Sequence, residues 1–107
     1  MMMLEEDVKE LSHFIARNIA TKLKVSDPDY KSTPELIEDI QRIDPKTYEI
    51  FEVFLTAYYE WSNFHKRIEK KGKAGKLSHS EMKELTELIE ARDTTRSALI
   101  QKVNELP

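Results

Sequence analysis

The chain has 107 residues, with 17 Lys and Arg against 20 Asp and Glu, for a net charge of -3. Its length suits one domain, expected over residues 1–107, with a modest core. The absence of Cys excludes disulfide scaffolds, thiolate nucleophiles and Cys-based metal sites, and the near balance of charge argues against a uniformly basic nucleic-acid binder.

No apolar run approaches the roughly 18 residues that a membrane-spanning helix needs. The opening, Met1-Met2-Met3-Leu4-Glu5-Glu6-Asp7, is acidic where a secretory leader needs positive charge. A cytoplasmic chain away from membranes is the expectation. The 2 glycines, Gly72 and Gly75, fall in one loop, and a β-rich fold would need many more turn signals.

Four helices are predicted in chain order. The first runs from about Met3 to Lys24, with Leu4, Val8, Leu11, Ile15 and Ile19 repeating at helical spacing. Its acidic first turn suits the positive end of the helix dipole. It should stop before the turn sequence Ser26-Asp27-Pro28-Asp29. The second helix is short. Thr33 is its predicted N-cap, Pro34 its first residue, and Leu36, Ile37, Ile40 and Ile43 its apolar face.

Asp44-Pro45 ends the second helix and opens the third at a sharp corner. The third runs from about Pro45 to Lys71. Ile50, Phe54, Tyr58, Trp61, His65 and Ile68 lie along one face, flanked by Phe51, Ala57 and Phe64. It closes with cations in its last turn and glycine beyond. In the fourth, Ser78 and Glu81 have the spacing of a capping box, and Leu77 and Met82 that of a hydrophobic staple. Met82, Leu85, Ile89, Leu99, Val103 and Leu106 carry the stripe to about Glu105. The expected fold is an all-α antiparallel helical bundle of three long helices and one short, built on a long hairpin of the third and fourth. The first two helices are too short to cover that hairpin, which leaves apolar surface for a second copy or a helical partner.

One feature breaks the pattern. Arg92 and Arg96 fall in the middle of the fourth helix's apolar stripe, between Ile89 and Leu99. A guanidinium in a core costs several kcal/mol unless it is paired. The hairpin register brings Tyr58 and Trp61 within reach for stacking or hydrogen bonding, and Asn18 is placed on the buried side of the first helix, able to join the layer. The layer reads either as structural or interfacial, completed by carboxylates from another helix or subunit, or as an anion site inside the bundle.

The remaining candidates are weaker. His65 is placed on the aromatic face, with Glu69 one turn on to orient its ring. Lys66, Arg67, Lys70, Lys71, Lys73 and Lys76 make a basic run that suits a helix C-terminus or an acidic or nucleic-acid partner. Glu10-x-x-His13 has the spacing found in di-iron bundles, but no second such pair exists and His13 is placed toward solvent. His79 is placed on the surface. No nucleophile–base pair, phosphate loop or dinucleotide fingerprint is present, and neither cofactor nor metal is expected. The functional expectation is a small intracellular interaction or regulatory protein that self-associates without catalysis. The alternatives are a small-anion binder or enzyme using Arg92 and Arg96, and a nucleic-acid-associated protein using residues 66–76.

Overall fold

The structure, a computed structural model, describes residues 6–70 and 76–106. All regular structure among them is helical: α1 (Glu6–Lys22), a 3-10 turn (Pro28–Tyr30), α2 (Thr33–Ile43), α3 (Pro45–Lys70) and α4 (His79–Glu105). The chain is an all-α bundle in which α3 and α4 form the long hairpin and α1 and α2 pack at one end of it. None of the helices is long and apolar enough to cross a membrane, among the described residues.

The helix ends follow from local hydrogen bonding. The two residues after α1, expected to be helical, belong to a Schellman motif. The Val25 N–H donates to the Ala20 carbonyl at 3.0 Å and the Lys24 N–H to that of Thr21 at 3.1 Å. Lys24 is left-handed, with φ of 61°, where a side chain costs about 1–2 kcal/mol relative to glycine. The turn expected over Ser26–Asp29 leads into the 3-10 turn, Pro28–Tyr30, with Asp27 at its N-cap. α2 starts one residue before the expected point, because Ser32, not Thr33, is its N-cap. The Ser32 hydroxyl accepts from the Glu35 N–H, and Glu35 reaches back to the Ser32 N–H at 3.2 Å. Asp44 serves two helices: its N–H bonds the Ile40 carbonyl at 2.8 Å, and its carboxylate accepts from the Thr47 N–H at 3.3 Å. The capping box at Ser78 and Glu81 closes as expected, but Met82 is exposed, so its staple with Leu77 does not bury it.

The segment before α2 is tied down by charge. The Lys31 ammonium donates to the Asp39 carboxylate at 2.7 Å, and Arg42 donates to the same group at 3.2 Å. The hydrogen bond from Lys31, then that from Arg42, holds the Asp39 carboxyl below its ordinary pKa. The Ser32 hydroxyl does the same for Glu35. A depressed carboxylate stabilises the fold above its unfolded-state pKa, and that contribution is lost as pH falls through the folded-state value. Thermal melts across the acid range should therefore show stability falling below the ordinary carboxylate range. In Asp39→Asn the Tm should be lower at neutral pH and the acid dependence shallower. An unchanged acid limb in that variant would show that the Lys31–Asp39–Arg42 cluster contributes nothing.

The core lies where all four helices meet, with Ile19, Leu36, Ile40, Phe51, Phe54 and Leu99 at its centre. The α1 stripe is rotated from the expected line. Val8 and Ile19 are buried, Leu11 and Ile15 only half-buried, and the small residues Ser12, Ala16 and Ala20 are fully enclosed. Leu4 lies outside the described residues. Short side chains at every fourth position let α1 sit close to α2, its main neighbour. Ile43 is exposed, so the α2 face is narrower than expected.

The buried face of α3 also turns along its length. Phe51 and Phe54 bury the first half in the cluster shared with α1, α2 and Leu99 of α4, whereas Phe64 and Ile68 are the buried apolar residues of the second half. In α4, only Leu99 is fully buried. The molecule measures 49 × 25 × 19 Å with a radius of gyration of 15.8 Å, against about 13 Å for a compact chain of this size. The hairpin outruns the two helices packed on it.

Candidate functional site

α1 packs chiefly on α2, and α4 packs chiefly on α3. The two outer helices therefore stand apart, and α3 forms the floor between them. The gap is a solvent-open groove of about 610 Å³, within the roughly 300–1,000 Å³ typical of small-molecule sites. Its floor is aromatic. Phe54, Tyr58 and Trp61 follow one another at 5.9 and 5.5 Å between centroids, and the His65 ring stacks on Trp61 at 5.5 Å. Leu11, Phe14 and Ile15 form the α1 wall, and Leu99, Ile100 and Val103 the α4 wall. Phe14 is 56% exposed and Ile100 46%, so the rim itself is apolar.

The charged residues gather at the Trp61 end, while the Asn104 amide lines the far end, beyond Val103. The Arg92 guanidinium carbon lies 4.5 Å from the Trp61 ring centre. Its Nε donates to the Asp93 carboxylate at 3.0 Å, and Nη2 is 3.0 Å from the same oxygen. The Arg92 side chain keeps 25% of its exposure. This resolves its desolvation problem: one face rests on the indole, one edge meets a carboxylate, and the remainder reaches the groove. The stripe-breaking arginine is thus a wall residue and not a core residue. Its carboxylate comes from the next residue of its own helix, not from another helix as expected. Arg96 is exposed and forms no ion pair among the described residues. Both arginines line the groove together with Tyr58, Trp61 and Asn18. Asn18 was placed on the buried side of the first helix. It is exposed, because that side is taken by Ser12, Ala16 and Ala20.

His65 also differs from expectation. It is exposed on the outer end of the ring stack, and its Nδ1 lies 3.6 Å from Glu69. His13 faces the start of α2 instead of solvent, with Nδ1 2.8 Å from the Thr33 hydroxyl. His79 is at the exposed start of α4. No group of His, Asp and Glu suited to a metal ion occurs among the described residues.

Of the basic run, Arg67 stacks over Phe64 at 5.3 Å, Lys66 is half-buried, and Lys70 and Lys76 are exposed. Lys71 and Lys73 lie outside the described residues. Phe14, Ile100 and Asp93 also line the groove, although the apolar periodicity of the sequence does not mark them. Phe14 and Ile100 lie off the apolar stripes, and their misplacement on otherwise polar faces was the available signal. Comparison of the chain with models of protein families, with curated proteins and with solved structures finds no match.

Proposed function

We propose that this chain is a small helical-bundle interaction protein without catalytic activity, which self-associates through the face that bears the groove. One observation carries the reading: an exposed aromatic knob, Phe14, stands on the rim of an open aromatic groove of about 610 Å³. A two-fold axis beside the rim would seat each Phe14 in the groove of its partner. A face that holds both a knob and a socket is what an isologous dimer requires. Ile100 on the opposite rim adds apolar surface to the same face. The reading treats the 107 residues as one domain acting in the cytoplasm, in keeping with a Cys-free sequence.

Sedimentation velocity tests it. The wild-type chain is expected to sediment at twice 12.6 kDa in the micromolar range. Phe14→Glu should sediment as a monomer with an unchanged helical spectrum, because Phe14 is exposed within one protomer and its loss opens no core cavity. A wild-type monomer throughout that range would overturn the reading.

A further inference from the structure

We propose that the groove binds an amphiphile with an anionic end, of the alkyl carboxylate class, free in solution. The carboxylate is received by Arg92 and Arg96, and the hydrocarbon lies on the aromatic floor. The argument is one of complementary polarity along a single cleft. From Arg92 to Val103 the α4 wall runs about 16 Å, at 1.5 Å per residue. Over that length it passes from two arginines to Leu99, Ile100 and Val103, with the uncharged Asn104 next to Val103 at the far end. The floor changes in step, from Trp61 beneath Arg92 to Phe54 in the central core. The cleft thus has one charged end and an apolar body.

The charge at that end is available. Asp93 takes the edge of Arg92 formed by Nε and Nη2, which leaves Nη1 without an ion pair among the described residues. Arg96, one turn on, has no carboxylate partner among them either. Two guanidinium groups against one carboxylate leave a net positive charge, next to a surface that lowers the local dielectric. A carboxylate hydrogen-bonded there replaces water on the Arg92 guanidinium, which Trp61 already shields on one side, and on the exposed Arg96 beside it. A cationic head in the same place would meet two like charges.

This inference does not rest on the dimer reading, although both use the same groove. Trp61 is the only Trp of the chain and lies on the groove floor, so its fluorescence reports occupancy directly. The probes are dodecanoate, dodecanol and dodecylamine, each below its aggregation limit. Dodecanoate is expected to shift Trp61 emission saturably and to raise the Tm. Dodecanol should bind about tenfold more weakly and dodecylamine more weakly still. Arg96→Met should cost dodecanoate about tenfold in affinity and leave dodecanol unchanged. Arg96 is exposed and, among the described residues, the guanidinium stacked on Trp61 is that of Arg92, so this variant leaves the fold and the stacked face of the reporter in place. Arg92→Met should act in the same direction.

Equal affinity for the three probes, or none for dodecanoate, would overturn the inference. So would an Arg96→Met variant that binds dodecanoate as the wild type does. A response to anionic phospholipid vesicles but not to dissolved dodecanoate would also overturn it, in favour of a membrane surface. Sedimentation with saturating dodecanoate separates the two readings. A dimer that persists with the groove filled would contradict the proposed interface while sustaining the ligand site. A groove that binds no probe on a dimeric chain would do the reverse.

Discussion

Phe51→Ala is expected to lower the stability of the chain by about 3–5 kcal/mol, the range for removing a fully buried aromatic ring. Phe51 is 1% exposed and sits in the cluster that also holds Ile19, Leu36, Ile40 and Leu99. Those neighbours come from α1, α2 and α4, so no single helix can shift to fill the space without loosening its contacts with the others. A domain of this size has about 5–15 kcal/mol in total. The variant should therefore melt roughly 12–40 °C lower, at about 4–8 °C per kcal/mol. Phe14→Ala removes the same ring from a site that is 56% exposed. In the monomer it should change stability by no more than about 0.5 kcal/mol. Denaturant titrations of both variants, at protein concentrations well below any dimer dissociation constant, provide the check. A Phe51→Ala loss below about 1 kcal/mol would mean that the four helices do not converge on that residue.

The second large effect should come from adding atoms. Ala16 is 0% exposed and shares the core cluster with Leu36 and Ile40 of α2. Ser12, Ala16 and Ala20 keep α1 close to α2, and a branched side chain at the middle position would lever the helices apart. Ala16→Leu should therefore cost about 1–3 kcal/mol or more from overpacking. Ala16→Gly, which removes volume and helix propensity, should cost only about 0.5–1 kcal/mol. That order distinguishes a tight helix contact from a loose one. If the Leu variant is the more stable of the two, the α1–α2 contact has room to spare. Because α1 also forms one wall of the groove, Ala16→Leu should in addition disturb Trp61 emission.

These residues also show what the sequence made legible. The Ser78–Glu81 box and the Asp44-Pro45 corner were readable because capping depends on residues within one turn. Ser32–Glu35 has the same spacing as Ser78–Glu81, but Thr33-Pro34 offers a competing start one residue later that the local pattern does not distinguish from it. The small stripe of Ser12, Ala16 and Ala20 was invisible to a search for large apolar residues, although close packing of two helices favours it. The turn of the α3 buried face could not be read, since it depends on which neighbours cover each half. Among site residues, Arg92 and Arg96 stood out because they interrupt an apolar stripe, and hairpin register pointed to Trp61. That these groups line an open groove, and are not sealed in a core, follows from the separation of α1 and α4. No local pattern encodes that distance.

The central claim is that copies of the chain meet through the groove-bearing face, and cross-linking reads the location of that interface directly. The wild-type chain contains no Cys, so each introduced thiol is the only one present. Asn18→Cys and Ile100→Cys place it on the groove side, and Val53→Cys places it on an exposed position of α3 away from the groove. With a short bifunctional maleimide at micromolar protein, the two groove-side variants should yield covalent dimers and the Val53 variant should remain a single chain. Dimers from Val53→Cys, with none from Asn18→Cys or Ile100→Cys, would contradict the claim.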